Sequence, residues 1–351
     1  MKLLIVGGAG YIGSHMLLAL QDAGVPASGL LVFDNLSRGH ADACGSVEIF
    51  RGDLRNTEDL TRCFEQFTPD LVMHFGALAY VGESVDEPLL YYENNVVGSL
   101  NLLATMRLFQ VSRLVFSSTC ATYGEPQTLP IPEDHPQHPI NPYGRTKLMI
   151  EQALIDYGHA YGLRSISLRY FNAAGADPQG RARERHEPET HLIPLVLREA
   201  ARIAGGGDPG NTTLKVFGTD FDTPDGSCVR DYIHVEDLCA AHLAAAQALM
   251  QTPLSTSAAH EVTNRPVKTA AAPLNTEFFN LANGNGYSVL EVINACKEVT
   301  GQPIEAQIVG RRAGDPARLI GNAHKIQQAL GWSPTKSLRA ILQDAWQAKS
   351  Y

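Results

Sequence analysis

The chain has 351 residues, about the length of two ordinary domains, and its 44% apolar and 19% charged content is globular rather than disordered. Lysine and arginine number 28 against 37 acidic residues, and the net charge of −9 is not gathered in blocks, so no nucleic acid is expected as a partner. The apolar runs are only strand length, so no membrane segment is expected either.

The first half of the chain alternates short apolar runs with amphipathic segments. Strands are predicted at 3–6, 29–33, 71–75, 114–116 and 165–168, and helices at 11–23, 57–67, 88–109 and 142–161. Strands that alternate with helices indicate βαβ units, whose crossovers are right-handed. The predicted fold class is therefore α/β, with a Rossmann-type doubly wound parallel sheet.

The composition changes after Asn172, where residues 173–185 are rich in glycine, proline and arginine. We predict a nucleotide-binding domain over 1–172 and a smaller α/β substrate-binding domain over 173–351, with some chain crossing back near 230–250. The second unit has predicted strands at 214–217, 278–281 and 305–309, and helices at 192–204, 236–250, 289–299 and 337–349. Residues 251–276 carry few large apolar side chains, so a mobile surface loop is expected there.

Six cysteines are scattered along the chain without a C-x-x-C spacing. A disulfide framework would be denser and a zinc site would show paired ligands, so buried thiols and no metal are expected. The first predicted strand follows Met1-Lys2 directly, which leaves no room for a signal peptide. A cytoplasmic location is the resulting expectation.

Between the first strand and the first helix, residues 6–14 read VGGAGYIGS. Glycines at such a turn let backbone N–H groups approach a pyrophosphate at the helix N-terminus, although a plain strand–helix turn also favours small residues. The run fits both G-x-G-x-x-G from Gly8 and G-x-x-G-x-x-G from Gly7. Asp34 ends the second strand, where a carboxylate accepts hydrogen bonds from a ribose 2′-hydroxyl, which favours NAD over NADP; Arg38 weakens that preference.

Tyr143 and Lys147 lie four residues apart in the predicted helix 142–161 and so share one of its faces. An ammonium and an oxidised nicotinamide would stabilise the phenolate and lower its pKa, allowing the tyrosine to remove a hydroxyl proton. A packed tyrosine beside a solvated lysine is the alternative interpretation of this common pattern. The hydroxyls of residues 117–119, at the end of a predicted strand, either orient a proton or cap the turn.

These features together resemble the extended short-chain dehydrogenase/reductases, and within them the UDP-glucose (UDP-galactose) 4-epimerases. The resemblance covers nearly the whole chain. Besides the glycine loop, the matching stretches are 33–37 (FDNLS), 52–55 (GDLR), 74–84, 91–98, 116–124, 143–147 (YGRTK), 169–172 (RYFN), 191–194, 229–234 (VRDYIH) and 311–315 (RRAGD).

The resemblance implies that UDP-galactose and UDP-glucose are interconverted by NAD-dependent oxidation at sugar C4, rotation of the 4-keto intermediate and reduction on its opposite face. It implies Tyr143, Lys147 and Thr119 as catalytic residues, and as NAD contacts Gly7, Gly10, Tyr11, Ile12, Gly13, Asp34, Asn35, Asp53, Leu54, Phe75, Asn94, Tyr143, Lys147 and Phe171. The implied UDP-sugar contacts are Thr119, Asn172, His191, Leu192, Phe217, Arg230, Arg312, Asp315 and Leu319. A homodimer is implied as well, because in the family the helices matching 88–109 and 142–161 pair across a two-fold axis.

The sequence departs from the family at three places. Ala79 stands where some members carry a lysine that reaches the cofactor, which predicts looser or different anchoring of NAD. Leu319 appears at the gate of the sugar pocket, often a tyrosine or a cysteine, so N-acetylated UDP-hexosamines are candidate substrates. Residues 251–276 form a longer stretch than the family usually has.

Three other functions are alternatives to the epimerase. A 4,6-dehydratase or a decarboxylase carries an acid just after the Thr119 position, where this chain has Cys120 and Ala121, which argues strongly against a dehydratase. A 4-epimerase of a UDP-pentose or UDP-uronate stays open, since only the C5 substituent differs. A non-catalytic NAD-sensing module is the third alternative, although such modules commonly lose the Tyr/Lys pair.

Overall fold

The computed structural model describes residues 1–251, 275–312 and 315–351. Strands in this part of the chain are β1 (Leu3–Val6), β2 (Leu30–Asp34), β3 (Glu48–Arg51), β4 (Leu71–His74), β5 (Arg113–Thr119), β6 (Arg164–Tyr170), β7 (Asn172–Ala174), β8 (Lys215–Phe217), β9 (Val229–His234), β10 (Thr276–Leu281), β11 (Gly286–Ser288), β12 (Gln307–Val309) and β13 (Arg318–Leu319). Seven of them form a parallel sheet in the order β10-β6-β5-β4-β1-β2-β3.

Helices connect most of these strands. They are α1 (Tyr11–Asp22), α2 (Thr57–Gln66), α3 (Val81–Asp86), α4 (Pro88–Tyr91), α5 (Gly98–Leu108), α6 (Pro142–Tyr161), α7 (Leu192–Ala204), α8 (Val235–Gln251), α9 (Val289–Thr300), α10 (His324–Leu330) and α11 (Leu338–Gln347). A π-helical turn, Tyr92–Val97, joins α4 to α5, so the predicted helix 88–109 is continuous in direction but changes its hydrogen-bond pattern midway.

The strand order reverses at β1, which lies between β2 and β4. Leu3 is in register with Leu30 on one side and with Leu71 on the other, and Val6 faces His74 at the carboxyl end. In open α/β sheets the crevice beyond the carboxyl ends at this reversal is where ligands bind. The predicted doubly wound parallel sheet is thereby confirmed.

The central sheet is buried on both faces, as parallel sheets require. Leu3 and Ile5 of β1 pack into a core that includes side chains of α1 and α8, whereas Leu4 and Val6 pack on the other face against α2, α5 and α6. Because α8 belongs to the first of these cores, the chain returns to the nucleotide-binding sheet after residue 234. The predicted domain division at residue 172 stays a prediction.

Several elements differ from the sequence prediction, and β7, β9, β11, β13 and α3 were not predicted. Residues 278–281 were expected in the second unit, but β10 pairs in parallel with β6, with Phe278 opposite Ser167. Strand β3 was missed because its side chains are exposed or half-buried and give no apolar run. Helix α10 was missed because its seven residues include one buried side chain, Ile326. The predicted loop 251–276 lies outside the described residues, apart from its ends.

A smaller sheet carries residues of the second unit. Its hub is β9, which pairs in parallel with β7 and β13 and antiparallel with β11. Strands β8 and β12 form a separate pair, and α7, α9 and α11 enclose a third apolar core. Arg230 of β9 stands opposite Leu319 of β13, so two predicted sugar-side residues are adjacent.

In the three described ranges, no helix combines the length and apolarity needed to cross a membrane. All six cysteines lie in these ranges, and all are buried with free thiols. Their prediction as small buried side chains is confirmed.

Helix α6 has clear signals at both ends. The side chain of Asn141 accepts a hydrogen bond from the backbone N–H of Gly144 at 2.8 Å, Pro142 fills the first turn, and Gly162 ends the helix with a left-handed φ of 70°. Its buried face carries Tyr143, Lys147 and Glu151, spaced one turn apart.

A buried ion pair fixes α6 to β6. The guanidinium of Arg169 donates to both carboxylate oxygens of Glu151, at 2.9 and 2.7 Å, and neither side chain exposes more than 4% of its surface. The hydroxyl of Ser118 on β5 donates to the same carboxylate at 2.6 Å. Bidentate geometry and the added donor offset the cost of burying both charges.

We predict that Glu151→Ala lowers the free energy of unfolding by about 3–5 kcal/mol, because Arg169 then stays buried without a counter-charge. The matched control is Lys325→Met, which removes a 3.1 Å pair with Glu277 whose side chains are 43% and 41% exposed. That change costs about 0–1 kcal/mol. Urea unfolding of both variants measures the difference; equal losses would contradict this account of the buried pair.

Candidate active site

The turn between β1 and α1 requires glycine at two positions. Gly7 has a φ of +76°, and a Cβ there would collide with the backbone of Gly76. A Cβ on Gly13 would lie 2.6 Å from the Cα of Gly8. Gly10 is the N-cap residue of α1, and no side chain caps this end of the helix within the described ranges. The backbone N–H groups of the first turn are therefore free to bind an anion.

The carboxylate of Asp34 is held beside this turn. It accepts hydrogen bonds from the backbone N–H groups of Ala9 at 3.0 Å and Leu36 at 2.8 Å. Burial raises its pKa, and the two backbone donors oppose that shift. Arg38 instead donates to Glu83 at 2.5 Å and to the backbone carbonyl of Glu187 at 3.1 Å. Because Arg38 is engaged there, the preference for a 2′-hydroxyl over a 2′-phosphate becomes stronger.

Other predicted cofactor residues line the carboxyl edge of the sheet. Asn35 donates to Asp53 at 3.0 Å, and a hydrogen-bonded ion pair with Arg55 lowers the pKa of the Asp53 carboxyl. Leu54 lies beside Gly76: a Cβ added to Gly76 would be 3.4 Å from the Cδ1 atom of Leu54. The backbone N–H of Phe75 donates to Val6 at 2.8 Å, which fixes the end of β4 against the end of β1.

The remaining predicted cofactor residues lie farther along the same edge. The hydroxyl of Tyr11 donates to the backbone carbonyl of Gly175 at 2.8 Å, and Ile12 follows it in the first turn of α1. The amide of Asn94 donates to the Asn95 side chain at 3.0 Å. Asn95 in turn holds both backbone groups of Leu78, beside Ala79. Phe171 packs in an apolar cluster with Cys120 and the half-buried Leu319.

These residues fit a dinucleotide. A glycine turn that a Cβ would fill, an uncapped helix N-terminus and a buried carboxylate at the end of the next strand supply the pyrophosphate and ribose contacts that NAD needs. They lie at the reversal of strand order in the central sheet.

Three predicted catalytic residues converge at the carboxyl end of β5. Tyr143 is buried in a cluster with Leu78 and Tyr91. The amino group of Lys147 donates to the backbone carbonyl of Ser117 at 2.8 Å. The hydroxyl of Thr119 accepts from the backbone N–H of Ala121 at 3.1 Å and also hydrogen-bonds with Tyr143.

Burial dominates the electrostatics of Tyr143 and Lys147. Burial raises the pKa of Tyr143 well above 10, Tyr170 raises it further, and the hydrogen bond with Thr119 opposes both. Burial also lowers the pKa of Lys147 to about 7, with Glu151 opposing. Both groups lose water, and desolvation penalises each charged form more than the neighbours compensate. The prediction that Lys147 and an oxidised nicotinamide together lower the pKa of Tyr143 stays a prediction.

The two serines before Thr119 are not turn caps. Ser117 donates its hydroxyl proton to the Tyr170 oxygen at 3.0 Å. Ser118 is fully buried and bonds to Glu151. The sequence pattern did not reveal the supporting roles of Glu151 and Tyr170, because these contacts join residues that are distant in the chain.

Four of the predicted sugar-side residues form two pairs, Arg230 with Asp315 and Arg312 with Phe217. The guanidinium of Arg230 donates to the backbone carbonyl of Pro316 at 2.8 Å and lies 3.5 Å from the carboxylate of Asp315. The guanidinium of Arg312 stacks 4.3 Å above the ring of Phe217.

The other predicted sugar-side residues begin two elements. Asn172 is the first residue of β7, and Leu192 is the first of α7. The preceding residue, His191, turns its Nδ1 atom to the carboxylates of Glu184, at 3.0 Å, and Glu189, at 2.9 Å. Its orientation is therefore set by acidic neighbours that the sequence analysis did not single out.

Comparison with known proteins supports the same family. The model of the NAD dependent epimerase/dehydratase family matches residues 3–254. A UDP-glucose 4-epimerase of Halalkalibacterium halodurans is 47% identical over 347 residues, which cover 99% of this chain and 95% of that protein. The crystal structure of UDP-glucose 4-epimerase from Brucella ovis in complex with NAD has a TM-score of 0.87 at 40% identity, covering 99% of this chain and 98% of the other.

A third relative is the UDP-glucose 4-epimerase from Bifidobacterium longum in complex with NAD⁺ and UDP, with a TM-score of 0.84, 34% identity and coverage of 99% and 98%. The doubly wound sheet and its glycine turn define an enzyme that uses a dinucleotide. The chain belongs to the NAD-dependent epimerase/dehydratase family. The family resemblance and the NAD cofactor predicted from the motifs are confirmed.

Proposed function

We propose that the chain interconverts UDP-galactose and UDP-glucose by NAD-dependent oxidation and reduction at sugar C4. The convergence of Tyr143, Lys147 and Thr119 at the carboxyl end of β5 carries this proposal. That end lies on the same edge of the sheet as the glycine turn, so a nicotinamide and a sugar can meet there. The relatives named UDP-glucose 4-epimerases support the choice of sugar nucleotide.

The chain's own residues would hold the dinucleotide and position the sugar. The first turn of α1 binds the pyrophosphate, and Asp34 accepts from the ribose hydroxyls. When bound, NAD⁺ supplies the hydride acceptor and donor for C4.

Tyr143 removes the proton of the sugar 4-hydroxyl, with Thr119 hydrogen-bonded to its oxygen. Positive charge is required for this step, because burial holds the pKa of the phenol high. Lys147, protonated, supplies part of that charge from the same helix face. After the 4-keto sugar has rotated, Tyr143 returns the proton to the oxygen at C4.

The second unit offers partners for the UDP moiety. Arg230 and Arg312 present guanidinium groups suited to a diphosphate, since a planar fork makes charge-assisted hydrogen bonds. Phe217 offers an aromatic surface for uracil. Asp315 lies close to Arg230 and would orient it. Asn172, near the junction of β6 and β7, completes the sugar side.

Replacing Tyr143 with Phe should reduce turnover of UDP-galactose by about 10²–10⁴-fold, the usual contribution of a positioned acid–base group. Folding and bound NAD should be retained, because the ring and its apolar contacts stay. Tyr161→Phe is the matched control on the same helix, since Tyr161 is exposed. Separation of the UDP-sugars after incubation measures both variants. If Tyr143→Phe were as active as the control, Tyr143 would be excluded as the base. If the unchanged protein formed no UDP-glucose, an NAD-sensing module would be favoured.

We also propose that N-acetylated UDP-hexosamines enter the pocket. Leu319 is half-buried in the cluster with Cys120 and Phe171, and a leucine occupies less space there than a tyrosine. The unchanged protein should therefore convert UDP-N-acetylgalactosamine as well as UDP-galactose. Leu319→Tyr should lower turnover of the N-acetylated sugar at least about tenfold more than that of UDP-galactose, as expected for lost space in a packed site. Complete exclusion of the N-acetylated sugar by the unchanged protein would defeat this proposal.

A homodimer is proposed from the apolar face shared by α5 and α6. Leu100, Leu108, Met149 and Ile155 are exposed there, with Leu108 at 70%. A shallow groove of about 280 Å³ lies between the two helices. Exposed apolar residues gathered on neighbouring helices favour association, and a second copy could form a four-helix bundle with them.

The double variant Leu100→Glu/Met149→Glu should dissociate this dimer, because two buried carboxylates on each side oppose association. Light scattering after gel filtration should give about 76 kDa for the unchanged protein, twice its 38.0 kDa chain mass, and about half that for the variant. Leu129→Glu, at an exposed leucine elsewhere, is the control. A mass of one chain for the unchanged protein would rule out the dimer.

We propose a cytoplasmic location, which the six buried free thiols favour because reducing compartments preserve them. Fractionation of cells that produce the chain tests this location; recovery outside the cytoplasmic fraction would contradict it.

A further inference from the structure

Four potential metal ligands converge on the segment that joins β7 to α7, beside Tyr11 and Tyr80. They are Glu184, His186, Glu189 and His191, and their ligand atoms all lie within 4.8 Å of one another. Both histidines turn the Nδ1 atom toward both carboxylates.

The separations match a tetrahedral ion. His186 Nδ1 lies 2.9 Å from Glu184 and 3.6 Å from Glu189, and His191 Nδ1 lies 3.0 Å and 2.9 Å from the same carboxylates. A zinc ion with bonds of about 2.0–2.1 Å places its tetrahedral ligands about 3.3–3.4 Å apart. Three of these four histidine–carboxylate separations are shorter than that distance and one is longer, so an ion would fit after shifts of a few tenths of an ångström.

The surroundings also favour a cation. The side chains of Glu184 and Glu189 are only 3% and 2% exposed, and two buried carboxylates need positive charge between them, which protonated histidines or a metal cation supplies. The rings of Tyr11 and Tyr80 pack edge-on against His186, at 6.0 and 5.8 Å between centroids. Two imidazole and two carboxylate ligands suit zinc, and four protein ligands leave no open position, as in structural rather than catalytic sites.

The segment that carries these ligands is fixed to the nucleotide-binding sheet. Arg185 makes a 2.9 Å ion pair with Asp42, and Arg38 donates to the backbone carbonyl of Glu187 at 3.1 Å. The ring of His40 lies 3.1 Å from the carbonyl of Arg185. An ion bound by the four ligands would hold this segment in place just before α7. It would also fix the orientation of His191, the last of the four.

We propose that Glu184, His186, Glu189 and His191 bind one zinc ion that locks the crossover segment between β7 and α7. No metal is expected from the cysteines, which show no paired ligand spacing. The pattern E-x-H-x-x-E-x-H at 184–191 was the available signal, and only the folded segment brings its four side chains together.

The first test is elemental analysis of the purified full chain. We expect about one zinc per chain, and removal by a chelator followed by addition of Co²⁺ should produce the visible absorption of tetrahedral Co²⁺. Saturating zinc should raise the midpoint of thermal unfolding by about 3 °C or more relative to the chelated protein, because an ion that binds only the folded state stabilises it. These readouts are independent of epimerase activity, so they can fail while the proposed function holds.

Variants assign the site. His186→Ala and Glu184→Gln should each lower zinc content at least tenfold and abolish the Co²⁺ absorption. His40→Ala removes an exposed histidine beside the segment, and Asp344→Asn alters the other His and carboxylate group, His234, Glu236 and Asp344; both should keep the zinc. Absence of zinc and of a Co²⁺ signal in the unchanged protein would overturn the proposal and leave a histidine–carboxylate ion-pair array. Retention of full zinc by both ligand variants would overturn it equally.

Discussion

The placement of α6 on the central sheet depends on the buried ion pair between Glu151 and Arg169. A helix that turns a carboxylate inward must satisfy it completely, and here a bidentate guanidinium from β6 and the Ser118 hydroxyl from β5 do so. Because Lys147 and Tyr143 lie on the same face, one and two turns before Glu151, the ion pair sets their distance from the end of β5. The catalytic spacing is thus a consequence of a polar contact in the protein interior.

The same burial explains the protonation states around Thr119. Burial raises the pKa of Tyr143 and lowers the pKa of Lys147, so the neutral form of each group is favoured. A positive charge beside the phenol, such as an oxidised nicotinamide, would lower the pKa of Tyr143 and so favour its deprotonation.

Local signals carried much of the sequence prediction. The predicted limits of α6, 142–161, agree with the capping residues Asn141 and Gly162 that the structure shows, and the cofactor edge followed from a glycine turn and a carboxylate along one βαβ unit. Pairings between distant segments could not be read in this way. The residues of β10 look like any short apolar strand, and its place beside β6 depends on the route of the chain after α8. The contact of Ser118 with Glu151 is likewise visible only in the folded chain.

Continuous buried structure connects the predicted sugar-side residue Arg230 to the predicted cofactor-binding turn before α1. Arg230 precedes Asp231, whose buried carboxylate accepts from the backbone N–H groups of Asn283, Gly284 and Gly321 and thereby joins three chain segments at one point. Burial raises the pKa of Asp231 to about 6, against the effect of these donors. Within four residues of that carboxylate β9 runs into α8, which packs in one core with α1 beneath the glycine turn. The distance between Arg230 and the first turn of α1 is therefore set by packed secondary structure.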